Sequence, residues 1–131
     1  FTGSIPFRRK DLIFLQVARL NSARYGAAGH TALARQLGYT EKEVRALDRE
    51  ADWGLFDPAM RAALVYAERM NRDAHQVTEQ VFAEMRKHYS DPEILEITCV
   101  VGLAGYWNRF TTALRIDLSG TDEPYDPPSA G

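Results

Sequence analysis

Residues 11–30 read DLIFLQVARLNSARYGAAGH, and this stretch decides the fold class. Its first half is apolar on nearly every face, which is typical of a buried helix. A buried β-strand is the alternative for so short an apolar run, but the alanine-rich second half favours a helix. Asn21 and Ser22 predict a break between two helices and an N-cap for the second. We expect that second helix over residues 23–37, with Gly38 ending it.

The rest of the chain carries further helix signals and no convincing strand. Thr40 with Glu43, and Ser90 with Glu93, have the spacing of capping boxes, which open helices. Further helices are expected over residues 59–71, 78–89 and 92–116. The sequence therefore predicts an all-α, single-domain bundle of about five to six helices.

The composition suits one globular domain. The 131 residues are 45% hydrophobic and 26% charged, with a formal net charge of -2. Such a balance lacks the basic surface typical of nucleic-acid binding. No uncharged apolar run reaches the ~20 residues that span a bilayer, and no signal peptide is visible, so we expect a cytoplasmic protein without membrane contact. The single cysteine excludes an internal disulfide.

The helix signals also suggest a division of the chain. We expect an N-terminal extension over residues 1–10, the helical domain over residues 11–118 and an irregular tail over residues 119–131. The tail is rich in Pro, Asp and Gly, which favour turns over helices.

One histidine stands out because small residues surround it on the predicted second helix. At 3.6 residues per turn, Ala23, Gly26 or Ala27, and His30 lie on one face and leave space beside the imidazole. Asp11 lies near the start of the preceding helix, so antiparallel pairing of the two helices would bring its carboxylate close to His30. A histidine oriented by a carboxylate is typical of general acid–base catalysis. A buried structural histidine is the alternative.

Other side chains have the chemistry to bind a substrate. Arginines hold carboxylates through paired hydrogen bonds, and aromatic rings form the walls of small-molecule pockets. The candidates of these two kinds are Arg19, Arg24, Arg109, Tyr25, Tyr106 and Trp107. Structural arginines and core aromatics are the alternatives. Cys99 is expected to be a small core residue, and the absence of metal-ligand spacing, phosphate loops and dinucleotide fingerprints predicts neither metal nor cofactor.

Residues 8–116 resemble the carboxymuconolactone decarboxylase and alkylhydroperoxidase-D-like superfamily. The similarity is most specific at Asn21, at His30, in SDPEILEIT (residues 90–98) and in YWNRF (residues 106–110). The resemblance implies an all-helical, alkylhydroperoxidase-D-like fold that assembles as homotrimers or as hexamers built from them. It also adds Asn21 to the substrate-binding candidates.

The resemblance also bears on the chemistry. In the peroxidase branch of that superfamily, a glutamate and a histidine serve a Cys-x-x-Cys pair in a proton relay. By this resemblance His30 matches the relay histidine, and Asp11 falls where the glutamate would sit, one methylene shorter. Ala23 and Gly26 occupy the two cysteine positions. A dithiol peroxidase needs a thiolate nucleophile and a resolving thiol, so this activity is disfavoured.

Three functions stay open from the sequence. The first is a cofactor-free lyase or isomerase that uses His30 as general acid or base, in a decarboxylation or proton transfer on a small organic acid or lactone. The second is a non-catalytic relative that binds a small ligand or serves as an assembly subunit. The third, less favoured, is a thiol-dependent peroxidase that uses Cys99 and an external thiol. The apolar excess of residues 94–116 predicts a subunit interface and hence a homo-oligomer, with the core helix of a monomer as the alternative.

Overall fold

The computed structural model describes residues 3–116, and the fold over this range is all-α. Six α-helices and two short 3₁₀-helices follow one another along the chain. They are α1 (Phe7–Leu20), α2 (Arg24–Gln36), α3 (Glu41–Ala46), the 3₁₀-helix Glu50–Leu55, α4 (Pro58–Arg72), the 3₁₀-helix Ala74–Gln76, α5 (Glu79–Arg86) and α6 (Asp91–Ala113). The predicted all-α bundle of about five to six helices is confirmed. The predicted tail over residues 119–131 lies outside the described residues.

Helix α1 is the central helix and packs against α2, α4 and α6. Its side chains Leu12, Leu15 and Val17 are fully buried. Gln16 is equally buried, and its Nε2 donates a hydrogen bond of 2.8 Å to the backbone oxygen of Leu64 in α4. Contact on several sides explains why α1 is apolar on nearly every face.

Helix α1 also begins earlier than the sequence predicted. The backbone N–H groups of Arg9 and Lys10 donate to the Pro6 oxygen at 3.0 and 3.2 Å, so the first turn forms directly after Pro6. This first turn was not predicted, because its charged residues interrupt the apolar pattern by which the rest of α1 was recognised. The helix therefore starts within the stretch predicted as an N-terminal extension.

Two helix starts follow the predicted cap chemistry. Thr40 with Glu43 and Ser90 with Glu93 each form a complete capping box, at the starts of α3 and α6. In each box the serine or threonine side chain accepts from one backbone N–H and the glutamate accepts from the other. These starts were predictable because the partners lie only three residues apart.

The turn between α1 and α2 differs from the prediction. Ala23 is the N-cap of α2, and no side chain caps this helix, so the predicted N-cap role of the preceding pair is wrong. Ser22 has a φ of 51°, in the left-handed region, which makes it a turn residue. The Asn21 side chain instead reaches Asn71 in α4 and Asn108 in α6.

Helix α6 buries one side and exposes the other. Ile97, Val101 and Ala104 are buried, whereas Cys99 is exposed, so the prediction of a core cysteine is wrong. The cause is that α6 is apolar nearly all round, and such a pattern does not reveal which side faces the core. We call the exposed side the α6 outer face; its residues are Leu95, Cys99, Gly102, Leu103, Tyr106 and Phe110. Leu95 is 64% and Tyr106 58% exposed, a large apolar surface for a helix.

No helix within residues 3–116 combines the length and the apolar character that crossing a membrane requires.

Candidate active site

The close approach of α1 and α2 creates the central pair of the site. Ala18, Ala23 and Ala27 form a small buried cluster between the two helices. Small side chains at a helix contact shorten the distance between the axes. Across this contact the imidazole Nδ1 of His30 hydrogen-bonds the Oδ1 of Asp11. The antiparallel pairing predicted from the sequence thus brings these two side chains together.

The two members of this pair differ in exposure. The Asp11 side chain has no exposed surface, whereas 29% of the His30 side chain is exposed. The imidazole stacks on the ring of Phe14 with 4.2 Å between centroids, which fixes its plane. An ionised carboxylate only accepts hydrogen bonds, so Nδ1 carries the proton in this bond. Nε2 is then the nitrogen available to a bound molecule.

A cavity of about 410 Å³ lies beside His30. Helices α1, α2 and α6 supply its walls, which include Phe14, Tyr25, Gly26, His30, Trp107 and Asn108. Most of this lining is apolar, and its polar side chains are those of His30, Asn108, Tyr25 and Thr111. Both the volume and the composition are typical of sites that bind small organic molecules, about 300–1,000 Å³ in size.

A second, smaller cavity of about 190 Å³ lies beside Asp11, the other member of the pair. Asp11, His30 and Lys10 are among its lining residues. The Lys10 ammonium is occupied by Glu96, 3.6 Å away in a nearly buried ion pair. The second oxygen of Asp11, Oδ2, is buried and has no hydrogen-bond partner within residues 3–116. A buried acceptor without a hydrogen bond lowers the stability of the folded protein by about 1–3 kcal/mol. Such unsatisfied groups call for a specific reason, and a functional role is one.

Three asparagines, one in the α1–α2 turn and one each in α4 and α6, form a hydrogen-bonded network beside the main cavity. Asn21 Nδ2 donates to Asn71 Oδ1 at 3.1 Å and to Asn108 Oδ1 at 2.9 Å. Asn71 Nδ2 donates back to Asn21 Oδ1 at 2.9 Å. Asn108 is only 2% exposed, and its Nδ2 has no partner within the described part of the chain. The network thus holds a buried amide whose N–H groups are unused.

Similarity to known proteins agrees with this architecture. Residues 1–69 match the carboxymuconolactone decarboxylase family. The chain belongs to this family. None of the curated proteins is significantly similar to it.

Two solved structures are similar to this family member along most of its length. One is a protein of unknown function from Agrobacterium tumefaciens, described as a putative antioxidant defence protein AhpD. It is 22% identical with a TM-score of 0.82, over 94% of this chain and 82% of that one. The other is an uncharacterized peroxidase-related protein from Silicibacter sp. TM1040. It is 22% identical with a TM-score of 0.78, over 95% of this chain and 62% of that one. These likenesses confirm the alkylhydroperoxidase-D-like fold.

The structure gathers some of the predicted substrate-binding residues at the cavity of this decarboxylase-family chain. Tyr25 and Trp107 line it, each with nearly half of its surface exposed. Asn21 does not line it but holds Asn108, which does. These residues meet because the α1–α2 turn packs beside the last turns of α6.

Two of the three predicted arginines, Arg19 and Arg109, do not line this cavity. The Arg19 guanidinium forms a bidentate ion pair with Asp48, at 2.6 and 2.7 Å, and both side chains are buried. Arg19 is therefore occupied by a structural partner and is absent from the cavity wall. Arg109 is exposed on α6, where its Nη1 folds over Gly105, and it does not line the cavity either. The partner of Arg19 was not predictable, because it lies 29 residues away.

The residues predicted to form the site do not include Asn108, which has the most informative environment. Asn108 lies in an otherwise apolar stretch of α6, and a polar residue in such a place must find partners. That signal marks Asn108 as unusual, but its contact with Asn21, and through Asn21 with Asn71, is visible only in the structure. Within residues 3–116 no group of His, Cys, Asp and Glu is arranged to hold a metal ion.

Proposed function

We propose that this carboxymuconolactone decarboxylase-family protein is a cofactor-free lyase or isomerase. It moves a proton on a small organic acid or lactone, with His30 as the general acid or base. The observation that carries the proposal is the Asp11–His30 pair, whose Nε2 is left free beside a cavity of about 410 Å³.

The pair supplies what a proton transfer needs. Asp11 accepts from Nδ1 and fixes the tautomer, so neutral His30 offers a lone pair at Nε2 as a base. Once protonated, the imidazolium is stabilised by the buried carboxylate and donates from Nε2 as an acid. In a decarboxylation the C–C bond breaks, CO₂ leaves and the electron pair stays on the carbon next to a carbonyl. His30 then protonates that carbon, a step typically worth about 10²–10⁴ in rate.

A neighbouring cavity provides a place for the anionic end of such a substrate. This cavity of about 540 Å³ shares Tyr25 and Thr111 with the cavity at His30. Arg24 and Arg115 line it, and a guanidinium is well suited to hold a carboxylate. In this proposal Arg24, a candidate from the sequence, and Arg115 are the substrate-anchoring arginines in place of Arg19 and Arg109.

The test is a screen of small organic acids and lactones, first by thermal shift and then by turnover. A ligand at 100 times its Kd stabilises the protein by about 2.7 kcal/mol. For any compound that is turned over, His30→Gln is expected to lower kcat by about 10²–10⁴. His75→Gln is the matched control, because His75 also pairs with an aspartate but is almost fully exposed and remote from the cavity lining. Full activity of His30→Gln would refute the proposed role.

A second candidate function, that of an assembly subunit, is favoured by the α6 outer face. We propose that this face packs against other copies of the chain to give a homo-oligomer, a trimer or a hexamer. Large exposed apolar patches usually mark such contacts. A sedimentation mass near the 14.8 kDa of one chain at micromolar concentration would contradict this. Ligand-induced stabilisation without turnover of any screened compound would favour a binding or assembly role over catalysis.

The descriptions of the two solved relatives raise a third candidate, peroxide reduction. This candidate is not supported by the cavity, whose wall contains no cysteine. Cys99 is the only thiol and lies on the α6 outer face. We expect no peroxide turnover with a thiol reductant. Turnover that is abolished by Cys99→Ser would establish the peroxidase instead.

A further inference from the structure

We infer that the side-chain amide of Asn108 is the oxygen-binding group of the cavity. Its Nδ2 donates to a carbonyl, carboxylate or enolate oxygen of the ligand. Asn21 and Asn71 are positioning residues that aim this donor. This inference deepens and rests on the proposed function, because it names a polar subsite in the cavity that His30 lines.

Within the described residues, the side-chain amide of Asn108 has an unused donor. Asn108 Oδ1 is occupied by Asn21 Nδ2 at 2.9 Å, and no atom within residues 3–116 accepts from Asn108 Nδ2. Turning the Asn108 amide alone would set its NH₂ against the NH₂ of Asn21, so the network favours the orientation described. A buried amide donor without an acceptor is rare in folded proteins and calls for a specific reason. A ligand oxygen supplies the missing acceptor.

The second step is the space in front of that donor. A Cβ placed on Gly26 would lie 3.2 Å from Asn108 Nδ2, close to hydrogen-bond distance. Gly26 and Asn108 both line the cavity that His30 lines. The missing side chain at position 26 therefore leaves a small space directly beside the buried amide. Gly26 was predicted from the sequence to leave space beside the His30 imidazole, and in the structure its missing side chain also leaves space beside Asn108.

The third step is the rigidity of the donor. Asn21 and Asn71 exchange two hydrogen bonds, and Asn21 donates a third to Asn108. Residues of the α1–α2 turn and α4 therefore hold the amide on α6 in place. A donor held in this way loses little entropy when an oxygen binds. An oxygen on Asn108 and a carbon near His30 would then fix the two ends of a small carbonyl compound.

The experiment compares two small probes that differ in one group. Cyclopentanone carries a C=O, and methylenecyclopentane carries a C=CH₂ of similar shape. Each is titrated into the uniformly ¹⁵N-labelled protein while the side-chain NH₂ signals of Asn108 are followed by NMR. We expect cyclopentanone to shift these signals saturably and methylenecyclopentane to leave them in place. An Asn108 amide that does not respond to cyclopentanone, or that responds equally to both probes, overturns the inference.

Two variants test the geometry. Asn108→Ala removes the donor, and Gly26→Ala fills the space in front of it while keeping the asparagine network. Each is expected to weaken cyclopentanone binding about threefold to tenfold, the range for one neutral hydrogen bond. Gly54→Ala is the control, because a Cβ there meets nothing within 4 Å. If Asn108→Ala fails to fold, Gly26→Ala still decides the question, and unchanged affinity in Gly26→Ala contradicts the inference.

The binding result is separable from catalysis, because cyclopentanone binding involves no proton transfer. A response of Asn108 together with a fully active His30→Gln variant refutes the proposed function alone. A His30-dependent turnover without any Asn108 response refutes the oxygen subsite alone.

Discussion

The buried ion pair of Arg19 with Asp48 makes the strongest stability prediction. Two hydrogen bonds of 2.6 and 2.7 Å join side chains that are only 5% and 7% exposed. Arg19→Ala leaves the Asp48 carboxylate buried without its partner, which typically costs about 3–5 kcal/mol. For a chain of this size each kcal/mol lowers Tm by about 4 °C. The variant is therefore expected to melt about 12–20 °C below the wild type.

Urea unfolding followed by circular dichroism measures this loss. Arg35→Ala is the matched control, because the ion pair of Arg35 with Glu41 is largely exposed and is expected to contribute at most about 1 kcal/mol. Replacing both buried partners, as in Arg19→Met with Asp48→Leu, is expected to recover most of the stability, since apolar side chains leave no unpaired charge. A loss below about 1 kcal/mol in Arg19→Ala would refute the structural role and return Arg19 to the substrate-binding candidates.

Two further predictions concern acid stability and assembly. The hydrogen bond from Arg9 holds the pKa of Asp57 below its usual range, so its stabilising effect is complete above about pH 3.9 and is lost as the pH falls through the folded-state pKa. Asp57→Asn keeps an N-cap for α4 but removes this charge. The urea midpoint of the variant should therefore fall less steeply than that of the wild type as the pH is lowered from neutral. An equal pH dependence in the two proteins would contradict this prediction. Phe110→Glu places a charge on the α6 outer face, and sedimentation should then show a smaller assembly than the wild type, whereas an unchanged mass would exclude this face from the interface.

The sequence predicted features that depend on neighbouring residues. The capping boxes of α3 and α6 follow from side chains three residues apart. The pairing of Asp11 with His30 followed from two helix periods and one short turn, which leave an antiparallel hairpin as the simplest arrangement. In these cases the tertiary contact follows from the local sequence pattern, so the pattern is sufficient to predict the contact.

Features that depend on distant residues were not predictable in the same way. Asp48 and Asn71 acquire their roles from partners on other helices, and no spacing rule joins them to Arg19 or Asn21. The exposed position of Cys99 depends on which side of an almost uniformly apolar helix faces the core. Tertiary packing determines which side of such a helix is buried, and a sequence that is apolar on every side does not indicate that side.

The proposed role of His30 depends most directly on its tautomer: the Nδ1–H donates to Asp11, and Nε2 carries no proton. A long-range ¹H–¹⁵N NMR correlation spectrum, recorded at a pH where the three histidines are neutral, assigns the tautomer of each ring. We expect a protonated Nδ1 and an unprotonated Nε2 for His30 in the wild type, and loss of the Nδ1 proton from this position in Asp11→Ala. A protonated Nε2 in the wild type would contradict the proposed role, because the ring nitrogen that is not bonded to Asp11 would then have no lone pair with which to act as a base.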